Sequence, residues 1–189
     1  MLSIANKLFV KPVEYERFTG DQRELERAKM YDLQAQSSKK ILIVAGELDP
    51  KFYNETFVNI ISKKFKDHPD FNVKILFSKD ESLDYKEKLK LIYAENTQLC
   101  NLLDNGAFEG RLSMFLSQKR VQNHFGIVDN SILIEKIHKQ GDPRDVLLVD
   151  NYKPLIEKYE RYFDKLTTEP EDDNIITTLT FDDFKEFAA

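Results

Sequence analysis

A chain of 189 residues that is 41% apolar and 32% charged is long enough to bury a core and reads as a globular domain with a very charged surface. Its one cysteine, Cys100, excludes an intramolecular disulfide framework and fits a reducing, cytoplasmic setting, and no apolar run is long enough to span a bilayer. The net charge of −5 is uneven, because from Thr167 onward seven acids face one lysine and leave the rest near neutral, which argues against a generally basic nucleic-acid-binding surface.

Residues 1–38 read as an N-terminal extension. Met1 to Pro12 is too short and polar for a signal peptide. Phe9, Val10 and Val13 suit a short strand, and Thr19 followed by Gln22 resembles a capping box for a helix over Asp21 to Gln36. The apolar stripe of that helix is thin (Leu25, Ala28, Met30, Leu33), as for a helix lying on a surface or against a partner.

A domain over residues 39–166 follows. Ile41 to Ala45 is a continuous apolar run, the mark of a strand buried on both faces, and Gly46 ends it. Asp49-Pro50 suits a helix start, with Phe52, Phe57, Ile60, Ile61 and Phe65 at helical spacing until His68-Pro69. Val73 to Phe77 is a second strand. Asp84 to Asp104 is a long helix that Asn105-Gly106 terminates. Four strands then come in close succession, at Arg111–Leu116, Asn123–Asp129, Ser131–Lys136 and Asp145–Val149, with Asp129-Asn130 as a tight turn and Gly141-Asp142-Pro143 as a loop. Pro154 to Leu166 is a closing helix. The βαβ opening implies a parallel pair with a right-handed crossover, and the later hairpins make the sheet mixed. Residues 167–189 read as an acidic tail, flexible from Thr167 to Thr178. It ends in one or two helical turns with Phe181, Phe184 and Phe187 roughly on one side. These phenylalanines are expected to pack on this chain or on a second copy, aided by bases such as Lys119, Arg120 or Lys139.

The order β-α-β-α-β-β-β-β-α, over Lys39 to Leu166, resembles one half of a phospholipase D superfamily unit. That family carries His-x-Lys-x4-Asp on a strand, with Gly-Ser six residues later. Anchored on Val128-Asp129, this chain has Gln122 at the histidine position, His124 at the lysine position and Asp129 at the aspartate position, and Lys136-Ile137 where Gly-Ser would stand. The family reaction needs an imidazole to attack phosphorus, a lysine to neutralise phosphate oxygens and an aspartate to orient the imidazole. Gln122 is neither nucleophilic nor basic. His124 lies two residues along the same strand face, so a rescue with His124 as nucleophile is conceivable.

Other clusters read more plainly. His124 and His138, with Asp129, Glu135 and Asp142 nearby, match no metal spacing, and no metal or cofactor is expected. His68 is a turn residue, and Cys100 beside Leu99 and Leu103 is a core thiol. Gly46, Glu47 and Asp49 follow the first strand, where α/β folds often bind ligands, but no glycine-rich phosphate loop is present. Lys119 and Arg120 are candidate ligand-binding bases, with His124 and Lys136; Arg111, Lys139 and Arg144 could join them against a phosphate or a nucleic-acid backbone. The resemblance then implies a non-enzymatic binding or regulatory domain with a phosphate-containing ligand or a protein partner, and a homodimer in which two half-units face each other. The alternatives are a homodimeric phosphodiesterase or nuclease using His124, and a nucleic-acid-binding regulator, which the near-neutral body disfavours.

Overall fold

The computed structural model describes residues 15–19, 21–105, 108, 110–136, 145–169 and 174–188. The elements are β1 (Tyr15–Phe18), α1 (Arg23–Gln36), β2 (Lys40–Ala45), α2 (Glu55–Asp67), β3 (Asn72–Ser78), α3 (Tyr85–Asn101), β4 (Leu112–Ser117), β5 (Phe125–Val128), β6 (Ser131–Lys136), β7 (Asp145–Asp150), α4 (Lys153–Thr168) and β8 (Ile176–Leu179). A 3-10 turn, Leu102–Asp104, extends α3, and another, Phe181–Phe187, follows β8. The strands form one eight-stranded sheet in the order β1-β7-β6-β5-β2-β3-β4-β8. β2, β3 and β4 are parallel, and every other pairing is antiparallel. This is the mixed sheet flanked by helices that the sequence predicts.

The pattern of β2 explains the layers. Alternate side chains leave a strand on opposite faces. Ile41 and Ile43 join one core with Phe57, Ile61 and Phe65 of α2, Ile75 of β3 and Leu99 of α3. Leu42 and Val44 join a second core with Phe125, Ile127, and Ile156 and Phe163 of α4. Both faces are covered, so Ile41 through Val44 are all buried, and each such side chain contributes about 1.5–3 kcal/mol. A third, smaller cluster seats the thin stripe of α1, where Met30 and Leu33 pack on Phe18, Leu133, Val146 and Leu148.

Several expectations need correction. Asp49-Pro50 does not start α2. Asp49 instead closes a turn, its carboxylate accepting from the amide of Lys51 at 2.9 Å and its carbonyl from Phe52 at 2.9 Å. Asn54 is the N-cap, accepting from the amides of Thr56 and Phe57, and Tyr31 of α1 donates to the same turn at Phe52 O, 3.0 Å away. The strand expected at Phe9 to Val13 lies outside the described residues. The tail is not flexible over all of Thr167 to Thr178. α4 continues to Thr168, and Ile176–Leu179 pairs antiparallel with β4. β1 and β8, which lie outside residues 39–166, are thus the two edge strands of the sheet.

Phe184 is fully buried, its ring 5.9 Å from that of Tyr93, and Phe187 packs on the same core. Polar contacts from α3 hold the segment: Lys86 pairs with Glu186 at 2.8 Å and the Tyr85 hydroxyl donates to Asp183 at 3.3 Å; Lys139 lies outside the described residues. Arg111 does not join a basic surface. Its guanidinium donates to the carbonyls of Phe65 (2.8 Å) and Pro69 (3.2 Å) at the end of α2, with Phe65 stacked 5.1 Å away.

Candidate functional site

The parallel strands β2, β3 and β4 present their carboxyl ends on one edge, where open α/β sheets form crevices. β4 and β5 are separated in the sheet by β3 and β2. The connection from Gln118 to His124 must therefore cross three strand spacings, about 14 Å, over those ends. Polar contacts hold it there. The Val121 amide donates to Ser78 Oγ at 3.3 Å, and Ser78 Oγ donates to the Gly46 carbonyl at 2.6 Å. The Lys119 amide donates to Asn174 Oδ1 at 3.0 Å, and the Arg120 amide donates to the Glu81 carboxylate at 2.5 Å.

His124 closes this connection. Its Nδ1 lies 2.9 Å from Glu135 Oε2 and its Nε2 lies 2.9 Å from the Val121 carbonyl oxygen. Both ring nitrogens face acceptors, so neither is aimed at the open crevice. The ring lies flush against Gly46, where a Cβ would sit 2.7 Å from His124 Cε1, so this position requires glycine by close approach. Glu135 reaches His124 because the Asp129-Asn130 turn sets the β5–β6 register, pairing Val128 with Ser131 and Phe125 with Ile134; the next pair outward is His124 with Glu135.

Two cavities flank the ring and share Gly46, Glu47 and His124. One, about 270 Å³, runs beneath α1, with Glu26 and Met30 on one wall, Phe52 and Tyr53 on another, and Val44, Leu133 and Val146 below. The other, about 490 Å³, is polar and adds Ser78, Lys79, Asp80, Glu81 and Arg120. Lys79 is committed to two carboxylates, Glu95 at 2.7 Å and Glu47 at 3.4 Å. Burial alone would lower its pKa, but the two acids outweigh it and hold the ammonium above its ordinary value.

The motif positions separate. Gln122 is exposed on the crossing connection. Asp129 lies at the far end of β5 from His124, about 16 Å away along five residue steps. There its carboxylate accepts from the Ser37 hydroxyl (2.9 Å) and from the amides of Ser38 (2.8 Å), Lys39 (3.1 Å) and Lys40 (2.9 Å). Burial would raise the Asp129 pKa, but these hydrogen bonds, led by the Lys40 and Ser38 amides, hold it below its ordinary value. Asp129 thus fastens the entry of β2 to the β5–β6 turn, with φ of 49°, a left-handed conformation that aspartate tolerates.

The remaining candidates divide in the same way. Arg120 lines the polar cavity, and Lys119 is exposed beside it. Lys136 ends β6 at this same edge, with its side chain outside the described residues, where His138, Asp142, Lys139 and Arg144 also fall. Arg111 immediately precedes β4 at the opposite edge, about 20 Å away along six residues. His68 is the C-cap of α2. Cys100 is fully buried, which pushes its thiol up to about 12. Among the described residues, no group of three or more His, Cys, Asp or Glu is placed to hold a metal ion, and no helix is long and apolar enough to cross a membrane.

No family model matches this chain, and no curated protein matches it either. Solved structures do. TrmBL2, described as an archaeal chromatin protein with a novel mode of DNA binding, aligns with a TM-score of 0.52 at 17% identity over 86% of this chain and 55% of its own. Phosphatidylserine synthase from Haemophilus influenzae Rd KW20 aligns at 0.56 with 16% identity over 90% of this chain and 40% of its own. NucT from Helicobacter pylori aligns at 0.53 with 9% identity over 81% of this chain and 94% of its own. The chain thus spans about half the length of the first two. The shared architecture is a phospholipase D-like fold.

Proposed function

We propose that this chain is a non-enzymatic binding or regulatory domain on a phospholipase D-like fold. The observation that carries the reading is the state of the His124 ring, whose two nitrogens are engaged by Glu135 and by the Val121 carbonyl. A nucleophilic imidazole needs a free nitrogen lone pair aimed at the substrate. Gln122, at the family's histidine position, brings no nucleophile, and Asp129 serves the β2 entry at the other edge. The test is turnover of bis(4-nitrophenyl) phosphate and of single-stranded DNA by the purified protein. No hydrolysis above background is expected, and turnover that disappears in His124→Ala would overturn the reading.

We also propose a homodimer. Alignment over nearly all of NucT but only about half of two longer proteins supports treating this chain as one half-unit that meets a second copy. Sedimentation at micromolar concentration is expected to give about twice the 22.2 kDa chain mass, and a clean monomer would count against it.

A further inference from the structure

We propose that the His124 ring is a proton-operated clasp. Doubly protonated, it fastens the Gln118–His124 connection over the carboxyl edge; on losing one proton to solvent, it releases that connection and joins the two cavities that it separates. The device is independent of what the crevice binds. A neutral imidazole has one N–H donor and one acceptor nitrogen. Here Nδ1 lies 2.9 Å from Glu135 Oε2 and Nε2 lies 2.9 Å from the Val121 carbonyl oxygen. An ionised carboxylate and a carbonyl only accept, so only the imidazolium donates to both. The neutral ring must choose, and the charge-assisted bond to the carboxylate is the stronger of the two. Its one hydrogen then sits on Nδ1, and the Nε2 lone pair faces the Val121 oxygen, acceptor against acceptor.

The surroundings decide which side gives way. The ring is backed by Gly46 and fills the place of a Cβ there, which would sit 2.7 Å from Cε1 and 2.8 Å from Nε2. The connection is the freer partner. It has no regular secondary structure, and of residues 118–123 only Val121 is buried. The Val121 amide rests on Ser78 Oγ through a long contact of 3.3 Å. The charged groups around the ring are engaged elsewhere. After β2, Glu47 pairs with Lys79 and Asp49 accepts from the Lys51 amide; after β3, Asp80 accepts from Ser82 and Glu81 from the Arg120 amide. Glu26 of α1 lines the cleft on one side of the ring and Arg120 the cavity on the other. The ring nitrogens themselves bond Glu135 and Val121, so those two contacts read out the proton. The His124 side chain keeps 17% of its surface exposed, enough for a proton to exchange with solvent.

The test follows the full chain from about pH 5 to about pH 9, a span that brackets ordinary histidine titration. Long-range proton–nitrogen NMR reads the ring, and amide hydrogen exchange, corrected for its intrinsic pH dependence, reads the connection. As the ring loses its second proton, the hydrogen on Nε2 should vanish and that on Nδ1 should remain. Protection of the Val121 amide should fall about three- to tenfold with the same midpoint, the loss of one hydrogen bond, while Leu42 in β2 keeps its protection. Glu135→Gln removes the need for the second proton, because its amide can donate to Nδ1 while Nε2–H stays on Val121. Val121 protection in that variant should be flat with pH, at the wild-type level of the acid limb. His124→Gln, which cannot titrate, should also give a flat profile, and it carries the test if Glu135→Gln does not fold. A ring that keeps its Nε2 hydrogen when it loses a proton, or that does not titrate across the range, would overturn the clasp. So would Val121 protection that ignores the ring's midpoint, an equal loss at Leu42, or a midpoint that persists in His124→Gln.

Discussion

Asp129 is the residue whose replacement separates a structural aspartate from a catalytic one. Asp129→Asn keeps the size and the tolerance for the positive φ of 49° but removes the charge and one acceptor oxygen. Four donors converge on the carboxylate, from Ser37, Ser38, Lys39 and Lys40. Hydrogen bonds to a charged group contribute about 1.5–3 kcal/mol each, but four donors sharing one half-exposed group do not add, and solvent screening lowers the sum. A loss of about 2–3 kcal/mol is expected, or roughly 4–12 °C in Tm for a chain of this size. Asp129→Ala should lose about 1 kcal/mol more, because alanine pays for the left-handed backbone. The pH dependence has a definite sign. The folded pKa is depressed, so the stabilisation is complete above the ordinary aspartate value of about 3.9 and is lost as pH falls through the folded value. Urea unfolding followed by far-UV circular dichroism should show a constant gap between wild type and Asp129→Asn from pH 5 to 8, narrowing below about pH 4. A gap under about 0.5 kcal/mol at pH 7, within the usual range for surface substitutions, would refute the reasoning.

Other perturbations test neighbouring parts of the account. Gly46→Ala places a methyl 2.7 Å from His124 Cε1, and the displaced ring should cost about 1–3 kcal/mol in unfolding free energy. Phe184→Ala, in the fully buried ring position of the C-terminal segment, should cost about 3–5 kcal/mol; melting within a degree of wild type would show that the segment is not part of the core. Cys100, with its thiol pushed up to about 12 by burial, should resist a thiol reagent at pH 8 until urea unfolds the chain, and fast labelling of native protein would contradict its placement.

Much of the fold was legible because single residues decided it locally. The four-residue apolar run Ile41–Val44 could only be a strand covered on both faces, and Asp84 caps α3 with Glu87 in a reciprocal box. The Asp129-Asn130 turn gave the hairpin, and with a two-residue turn its register also pairs His124 with Glu135. That partner was readable from the sequence and was missed. What escaped depends on long-range packing. β8 is a four-residue strand paired on one side only, set in acidic composition, and its place follows from the β4 edge and the anchor at Phe184. Asn54 outcompetes Asp49-Pro50 for the start of α2 because Tyr31 of α1 docks on the intervening turn. Arg111 reads as surface charge until α2 ends against it. The motif positions were legible as residues but not as a site, since Asp129 and His124 face opposite edges of the sheet.

The most direct test of the central claim, that His124 is a clasp and not a nucleophile, is long-range proton–nitrogen NMR of its side chain in the native protein at neutral pH. Nε2, 2.9 Å from the Val121 carbonyl oxygen, should carry a hydrogen and keep it when bis(4-nitrophenyl) phosphate is added. An Nε2 that resonates as an unprotonated, lone-pair nitrogen, and shifts on adding that diester, would contradict the account.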